Sequence, residues 1–349
     1  MLTLLSEFKP SPSRIIPIPG KGATVLQMSP MISVVIPTYN RPDAVARLLL
    51  RIQQQSFTDF ECLVIDDGSH DDTLAKYSVI WESLDARFRL DLKGNSERGG
   101  GPGKTRNRGI RLARGSFLAF CDDDDLWVRD DHLASSLAAL TKYDADLFFG
   151  NMQLANNGKI INPNWLSTAP PHIWRRPLPG ETDIFHVTPK DVGGFLVHRT
   201  LHANTLVVSK ELMLRAGMYY EREIFGEDYD INFRLVDKAK KIIFRSTVVA
   251  ELNVTDHTSF IRSYQTQERV LLTILAALRA ETQIGDPGLR RVARANRAWF
   301  LLEIAHLMLN EGWHRQPREL AVQSLLIHPS MEALRVIGKS LLGAQDNSR

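Results

Sequence analysis

Cysteine is almost absent from this chain. Cys62 and Cys121 are the only two in 349 residues. Two thiols can neither build a disulfide framework nor fill a four-cysteine zinc site, and they point to a reducing, cytoplasmic compartment. Long apolar runs are missing as well. The longest, Val270–Leu278, falls far short of the ~20 residues a bilayer helix needs. The N-terminus has no basic region followed by a long apolar core, so no secretion signal is read there. Net charge is nearly absent too: 43 basic against 40 acidic residues leaves +3, too little to imply a nucleic-acid partner. What remains, 44% hydrophobic and 24% charged, excludes a fibrous or wholly disordered chain.

The small net charge is unevenly placed. Residues 1–30 hold three basic and one acidic residue, and residues 262–349 hold twelve and eight. The stretch between holds 28 and 31, so an acidic centre sits between basic flanks. Residues 1–30 are punctuated by Pro10, Pro12, Pro17, Pro19, Pro30, Gly20 and Gly22 and read as a flexible leader with no strand or helix. Order starts at Ile32. The runs Ile32–Pro37, Cys62–Ile65, Phe88–Leu92 and Ser116–Cys121 are short and apolar, as buried strands are. Between them lie a helix opened by Pro42, with Val45, Leu48, Leu49 and Ile52 on one face, another from about Asp72, and a third over Thr105–Ala113.

This β-α-β-α-β-α-β order over about 90 residues predicts an α/β fold with a mostly parallel sheet and helices on both faces. Ligands of such sheets gather outside the carboxyl ends of the strands. There the sequence places Thr38-Tyr39-Asn40, Asp66-Asp67 and Asp122–Asp125. Further strands are expected at Leu147–Phe149, Thr205–Val208 and Lys241–Phe244. Residues 160–195, rich in Pro, Trp and His, read as a long loop over a binding face. Ser209 should cap a helix that Gly217 ends, and Tyr229–Ala239 should be helical. Residues 261–343 read as four or five amphipathic helices, parted at Gly312 and at His328-Pro329.

Four adjacent carboxylates raise one another's pKa unless a cation neutralises them. Mg²⁺ or Mn²⁺, taking oxygen ligands, is the natural partner of Asp122–Asp125. An isolated acidic run is usually a solvated turn, but this one follows a buried strand and precedes Leu126-Trp127. Asp66-Asp67-Gly68-Ser69 can bind a base or ribose, or simply close a turn. Gly99–Thr105 invites comparison with a phosphate-binding P-loop, yet the required first glycine is Arg98, so the motif fails. A helix start bearing Lys104, Arg106 and Arg108 still favours anions. Gly226-Glu227-Asp228-Tyr229-Asp230 offers an acidic helix start, which the helix dipole alone would favour, and Asp228 becomes a candidate general base. His257 is a further candidate, although a lone histidine is usually structural.

Five stretches in this order resemble the inverting glycosyltransferases of family 2: Ser33–Pro42, Val64–Ser69, Thr105–Ile110, Phe120–Trp127 and Gly226–Asp230. The resemblance spans about residues 32–260. It implies a GT-A fold, Rossmann-like, over 31–260, with a nucleotide-binding half at 31–130, an acceptor half at 131–260 and a helical extension at 261–349. It implies transfer of a sugar from a nucleotide-sugar, a UDP-sugar most often, to a hydroxyl of a glycan, lipid-linked or other acceptor in cell-surface polysaccharide synthesis.

By position, it implies that Pro37, Thr38, Tyr39, Asp66, Asp67, Lys104, Arg106, Asp122 and Asp123 serve the nucleotide. Asp124, Asp122 and His257 would serve a divalent metal, Mn or Mg. Asp228 would be the base, and Trp127 and Glu227 would meet the acceptor or donor sugar. Two other readings stand beside it, a nucleotidyltransferase on a similar fold and a non-catalytic sugar-binding relative. Pro37–Arg41, where the first would carry a glycine- and basic-rich loop, and intact Asp122, Asp124 and Asp228 argue against each. The C-terminal helices would pack on the catalytic domain or pair two copies. Their basic balance also allows peripheral contact with the inner face of a membrane.

Overall fold

The computed structural model describes residues 14–16, 29–93, 99–166, 173, 177–197, 200–223, 225–254 and 266–346. Its strands are β1 (Arg14–Ile16), β2 (Ile32–Thr38), β3 (Phe60–Asp66), β4 (Phe88–Leu92), β5 (Phe117–Phe120), β6 (Leu126–Trp127), β7 (Leu147–Asn156), β8 (Lys159–Asn162), β9 (Ile184–Val187), β10 (Leu206–Ser209) and β11 (Ile242–Asn253). The helices are α1 (Pro42–Gln53), α2 (Asp71–Glu82), α3 (Pro102–Leu112), α4 (His132–Lys142), α5 (Pro189–Phe195), α6 (Lys210–Arg215), α7 (Glu227–Lys238), α8 (Thr266–Gln283), α9 (Pro287–Asn310), α10 (Arg315–Ile327) and α11 (Met331–Asp346).

One sheet holds all the strands, in the order β1-β4-β3-β2-β5-β10-β7-β11-β6, with β8 on β7 and β9 on β11. The strands β4, β3, β2 and β5 run parallel, as their alternation with helices requires. β10 is antiparallel to both β5 and β7, so the sheet is mixed at its centre. Leu206-Val-Val is buried on both faces, and an apolar run of that kind carries no signal of direction. β1 pairs antiparallel with β4, so the leader is not strand-free as its prolines suggested. The expected loop at 160–195 holds β8, β9 and α5, the last begun by a Thr188–Asp191 capping box. β11 runs to Asn253, well beyond the expected Phe244, through two register shifts along its pairing with β7.

The pleat divides the core by alternate residues. Val35, Ile65 and Phe120 face one layer with α3, α5 and α7, whereas Val34, Ile36, Val64 and Ala119 face the other with α1 and α4. Ala276, Ala277 and Ala280 of α8 and Leu289 and Ala293 of α9 belong to the first layer, so these two helices continue the core of the α/β unit. Farther out, Leu302, Ala305, Ala321, Ala333 and Val336 join α9, α10 and α11 in a separate cluster. The breaks at Gly312 and His328-Pro329 fall between helices as expected. No helix among the described residues is long and apolar enough to cross a membrane.

His132 is fully buried, with its ring 4.9 Å from that of Trp127 and 6.2 Å from that of Phe148. Neither ring nitrogen meets a hydrogen-bond partner among the described residues. Burial, with help from Arg245, pushes its pKa down to about 3. The unfolded chain titrates near 6.5. Below that pH the unfolded state takes up a proton the folded state refuses, so stability falls as pH drops from about 6.5 toward 3. Urea denaturation should show a slope of about 1.4 kcal/mol per pH unit from this group, and His132→Phe should flatten it between about pH 4.5 and 6.5. An unchanged slope in the variant would place the acid sensitivity elsewhere.

Candidate active site

The predicted polar ends of β2, β3 and β5 meet on one side of the sheet, because parallel pairing brings their carboxyl termini together. The Asp122–Asp125 turn lies at the centre of this crevice. Its carboxylates are held by different sets of partners. Thr38 Oγ1 donates to Asp123 at 2.7 Å, and Arg41 Nη1 bridges Asp123 at 2.8 Å and Asp124 at 2.9 Å. Asp125 accepts from Asn204 Nδ2 at 3.0 Å and from the backbone N–H of Asn253 at 3.1 Å. The long β11 is what brings that last donor into reach.

Asp122 is held by Arg106 Nη2 at 2.6 Å. The same guanidinium contacts Glu227 at 2.9 Å and Asp228 at 3.4 Å through Nη1. Its carbon lies 5.3 Å from the centre of the buried Tyr219 ring. Arg106 is only 2% exposed, so it is not an open anion grip as expected. It is a buried strut between the strand-end aspartates and the start of α7. Gly109, one turn farther along α3, makes this possible. A Cβ there would lie 2.4 Å from Val35 Cγ1, so only glycine lets the helix come this close to β2. At the other end Gly226 sits at φ 86°, turning the chain so that α7 opens with Glu227 and Asp228 facing Arg106.

Burial drives the titration of these groups. It pushes Asp123 up to about 7 and Glu227 up to about 7, raises Asp228, and lifts Asp125 well above the carboxylate range. Asp122 goes the other way. Burial opposes its ionisation, yet Arg106 and the fields of His202 and Arg41 hold it below its ordinary value. Two arginines pair with Asp122, Asp123, Asp124, Glu227 and Asp228 among the described residues, and Asp125 meets Asn204, the Asn253 N–H and His202 instead. The deficit of positive charge is what a divalent cation would correct. Asp122, Asp125 and His202 offer ligand atoms that all lie within 4.8 Å of one another. His202 Nδ1 has no hydrogen-bond partner among the described residues. Two carboxylates and an imidazole suit Mn²⁺ and fit a metal at this point.

Several sequence expectations are redirected. Trp127 is fully buried, and its Nε1 donates to the Asn204 carbonyl at 2.8 Å, so it braces the site and has no face for a sugar. Asp66 is consumed in its own turn, accepting from the N–H of Gly68 and Ser69, the Ser69 hydroxyl and the Tyr77 hydroxyl. Asp67 holds the glycine turn through the N–H of Gly100 and Gly101, and Lys93 Nζ lies 3.2 Å away. Pro37 is buried at the end of β2, whereas Tyr39 is 42% exposed at its mouth. Lys104 is exposed on the first turn of α3. Asp124 lies outside the three-donor cluster, and His257 lies outside the described residues. The sequence reading missed Arg41, His202 and Asn204. Arg41 could have been found by asking which cation balances four aspartates; His202 and Asn204 carry no local signal.

Residues 33–195 match the family model described as Glycosyl transferase family 2. The chain is similar to the UDP-Glc:alpha-D-GlcNAc-diphosphoundecaprenol beta-1,3-glucosyltransferase WfgD of Escherichia coli, 29% identical over 131 residues, 38% of this chain and 49% of that one. It is also similar to the poly(ribitol-phosphate) beta-N-acetylglucosaminyltransferase TarS of Staphylococcus aureus, 32% identical over 140 residues, 40% of this chain and 24% of that one. The chain thus spans at most about half the length of these two relatives. Its fold is that of the crystal structure of S. aureus TarS 1-349 in complex with UDP-GlcNAc, with TM-score 0.63 and 18% identity over 90% of this chain and 89% of that one. The mannosyltransferase PcManGT of Pyrobaculum calidifontis, solved in complex with GDP-Man and Mn2+, gives TM-score 0.54 and 17% identity over 97% and 90%.

The Arg106 strut is testable without any substrate. Arg106→Met leaves Asp122, Glu227 and Asp228 crowded with no counter-charge and should cost about 3–5 kcal/mol in urea denaturation at neutral pH. Arg106→Lys, with a single compact charge in place of a fork, should recover only part of it. A loss under about 1 kcal/mol in the methionine variant would mean the network carries no structural weight.

Proposed function

We infer the activity of this chain from the family it belongs to through residues 33–195, glycosyltransferase family 2, and from its carboxylate-lined crevice. It moves a sugar from a nucleotide-sugar donor, a UDP-sugar, to an acceptor hydroxyl, with inversion at the anomeric carbon. The observation that carries this reading is the single buried guanidinium that holds a donor-side carboxylate, Asp122, and a helix-start carboxylate, Asp228, at fixed separation. Direct displacement needs a leaving group on one side of the anomeric carbon and a base on the other, both positioned before the reaction begins.

Asp228 is the base. It is partly accessible at the crevice, and burial raises its pKa, which strengthens it as a proton acceptor, while Arg106 opposes that rise. It accepts the acceptor hydroxyl's proton as the oxygen attacks. Glu227, beside it, would meet the acceptor or donor sugar. Asp123, clamped by Thr38 and Arg41, fixes the turn that presents Asp122, and Tyr39 offers an exposed ring at the nucleotide end. Asp122, Asp125 and His202 would hold a divalent ion, which supplies charge to stabilise a departing diphosphate. The substrates of these relatives, a diphosphoundecaprenol-linked sugar and poly(ribitol phosphate), favour a lipid-linked or polymeric acceptor in surface-polysaccharide synthesis at the cytoplasmic side.

Asp228→Asn should lower turnover by about 10²–10⁴-fold while UDP binds as tightly as to the parent protein. Retained turnover would remove Asp228 from the role of base. The metal assignment is checked by titrating UDP with and without Mn²⁺. His202→Ala should erase the gain in affinity that Mn²⁺ gives, and Asp124→Ala should keep more of it than His202→Ala does. The reverse order would return the ion to Asp124.

A further inference from the structure

His202 lies between α5 and β10, outside any helix or strand, so its place at the crevice is set by side chains from elsewhere. Its own carbonyl accepts from the Thr205 hydroxyl at 2.9 Å and the Thr205 N–H at 3.0 Å, which shapes the turn after it. Two asparagines hold the approach to it. Asn232 of α7 donates through Nδ2 to the carbonyl of Leu201, the residue before His202. Asn296 of α9 donates to the carbonyl of Leu196, at the end of α5, at 2.7 Å and to the Tyr229 hydroxyl at 3.0 Å. Both side chains are shut off from solvent. A buried amide is costly unless its bonds are needed. Asn232 Oδ1 meets no partner among the described residues, and a leucine would fill nearly the same space with no acceptor left unpaired. The bond to Leu201 is what the amide supplies and a leucine could not.

We propose that Asn232 and Asn296 are positioning residues for His202, which lock it to α7 so that the metal ligand and the base keep one fixed relation. The inference rests on the reading of His202 as a metal ligand and of Asp228 as the base. Asn232 stands one turn after Asp228 on the same face of α7, and Tyr229 follows Asp228 directly. The rotation of α7 that aims Asp228 at the crevice therefore also sets the Asn232 amide against Leu201. Asn296 adds the outer anchor, because one amide grips both α7 and the end of α5. Each asparagine acts through a backbone carbonyl rather than on a ligand. An imidazole must meet an ion at one bond length, so a small shift in the backbone ahead of His202 loosens the whole site. Both asparagines lie beyond residues 33–195, so the family match assigns them no role.

The test titrates UDP into the full chain by calorimetry, without Mn²⁺ and at a series of Mn²⁺ concentrations. Asn232→Ala and Asn296→Ala should each raise the Mn²⁺ concentration that gives half of the affinity gain by about tenfold or more, as loss of a group that orients a metal ligand does. UDP affinity without Mn²⁺ should stay at the parent value. If Asn232→Ala does not fold, Asn296→Ala decides the matter alone. On a His202→Ala background neither substitution should change the Mn²⁺ response further, since both act through that ring. Ser324→Ala serves as the structural control. It removes a buried hydrogen bond to the Ala298 carbonyl in the same helical region and should leave both affinities unchanged. A gain lost in His202→Ala but kept in both asparagine variants would overturn this proposal and leave the metal reading standing. A gain kept in His202→Ala would remove the metal reading and the proposal together. Additive effects on the His202→Ala background, or an equal loss in Ser324→Ala, would show that the asparagines act only on general stability.

Discussion

The site depends on one electrostatic constraint, an excess of buried carboxylates at the ends of parallel strands. Asp122–Asp125 come from the turn after β5, and Glu227 and Asp228 come from the start of α7, more than a hundred residues later. Left alone they would repel one another or take up protons. Arg106 and Arg41 divide the work of preventing this. Arg106 joins the two acidic segments across the crevice, and Arg41 fixes the middle of the aspartate turn. Two cations do not balance the set, and the remaining deficit keeps an electrophilic or cationic ligand favourable at this point.

Much of the surrounding architecture serves the placement of Arg106. Gly109 lets α3 press onto β2 and β3, which buries the guanidinium one turn earlier in the helix. Asn107 in the same helix exchanges hydrogen bonds with the backbone of Tyr219, and this ties α3 to the segment leading into α7. On the far side α8 lies against Gly226. A Cβ there would come within 3.0 Å of Ala276 Cβ, so the helical extension closes over the start of α7. Arg279 of α8 adds an ion pair with the buried Glu223 at 2.6 Å and stacks on Tyr220. α8 and α9 therefore brace the segment that presents Asp228, through the core they share with the sheet.

The strand-helix alternation of residues 32–121 was legible because period and length there follow from local sequence, and β2 to β5 with α1 to α3 fall where they were expected. The middle of the chain was not. Residues 160–195 look loop-like by composition, yet β9 finds its partner on β11, a pairing between segments far apart in sequence that no local pattern encodes. The helical tail was legible in its breaks, since Gly312 and His328-Pro329 punctuate any helix. That it packs on the catalytic unit was expected, and α8 and α9 do so; which of its residues make that contact was not legible, because small residues such as Ala276 and Ala280 give little sequence signal of the surface they meet.

By itself the sequence determined which chemical groups gather at the crevice: polar residues at three strand ends, carboxylates at two of them, and carboxylates at one glycine-led helix start. It did so because a buried strand followed at once by polar residues can put them only at the sheet's edge. Tertiary structure decided which of those groups face the ligand and which hold the others in place. Trp127 went to the core, Asp66 closed its own turn, Arg106 turned inward as a strut, and His202 and Asn204 arrived from a loop with no motif. The reason is physical. A side chain's role depends on the charge and space that distant segments bring to it, and these exist only once the sheet and its helices have closed around the site.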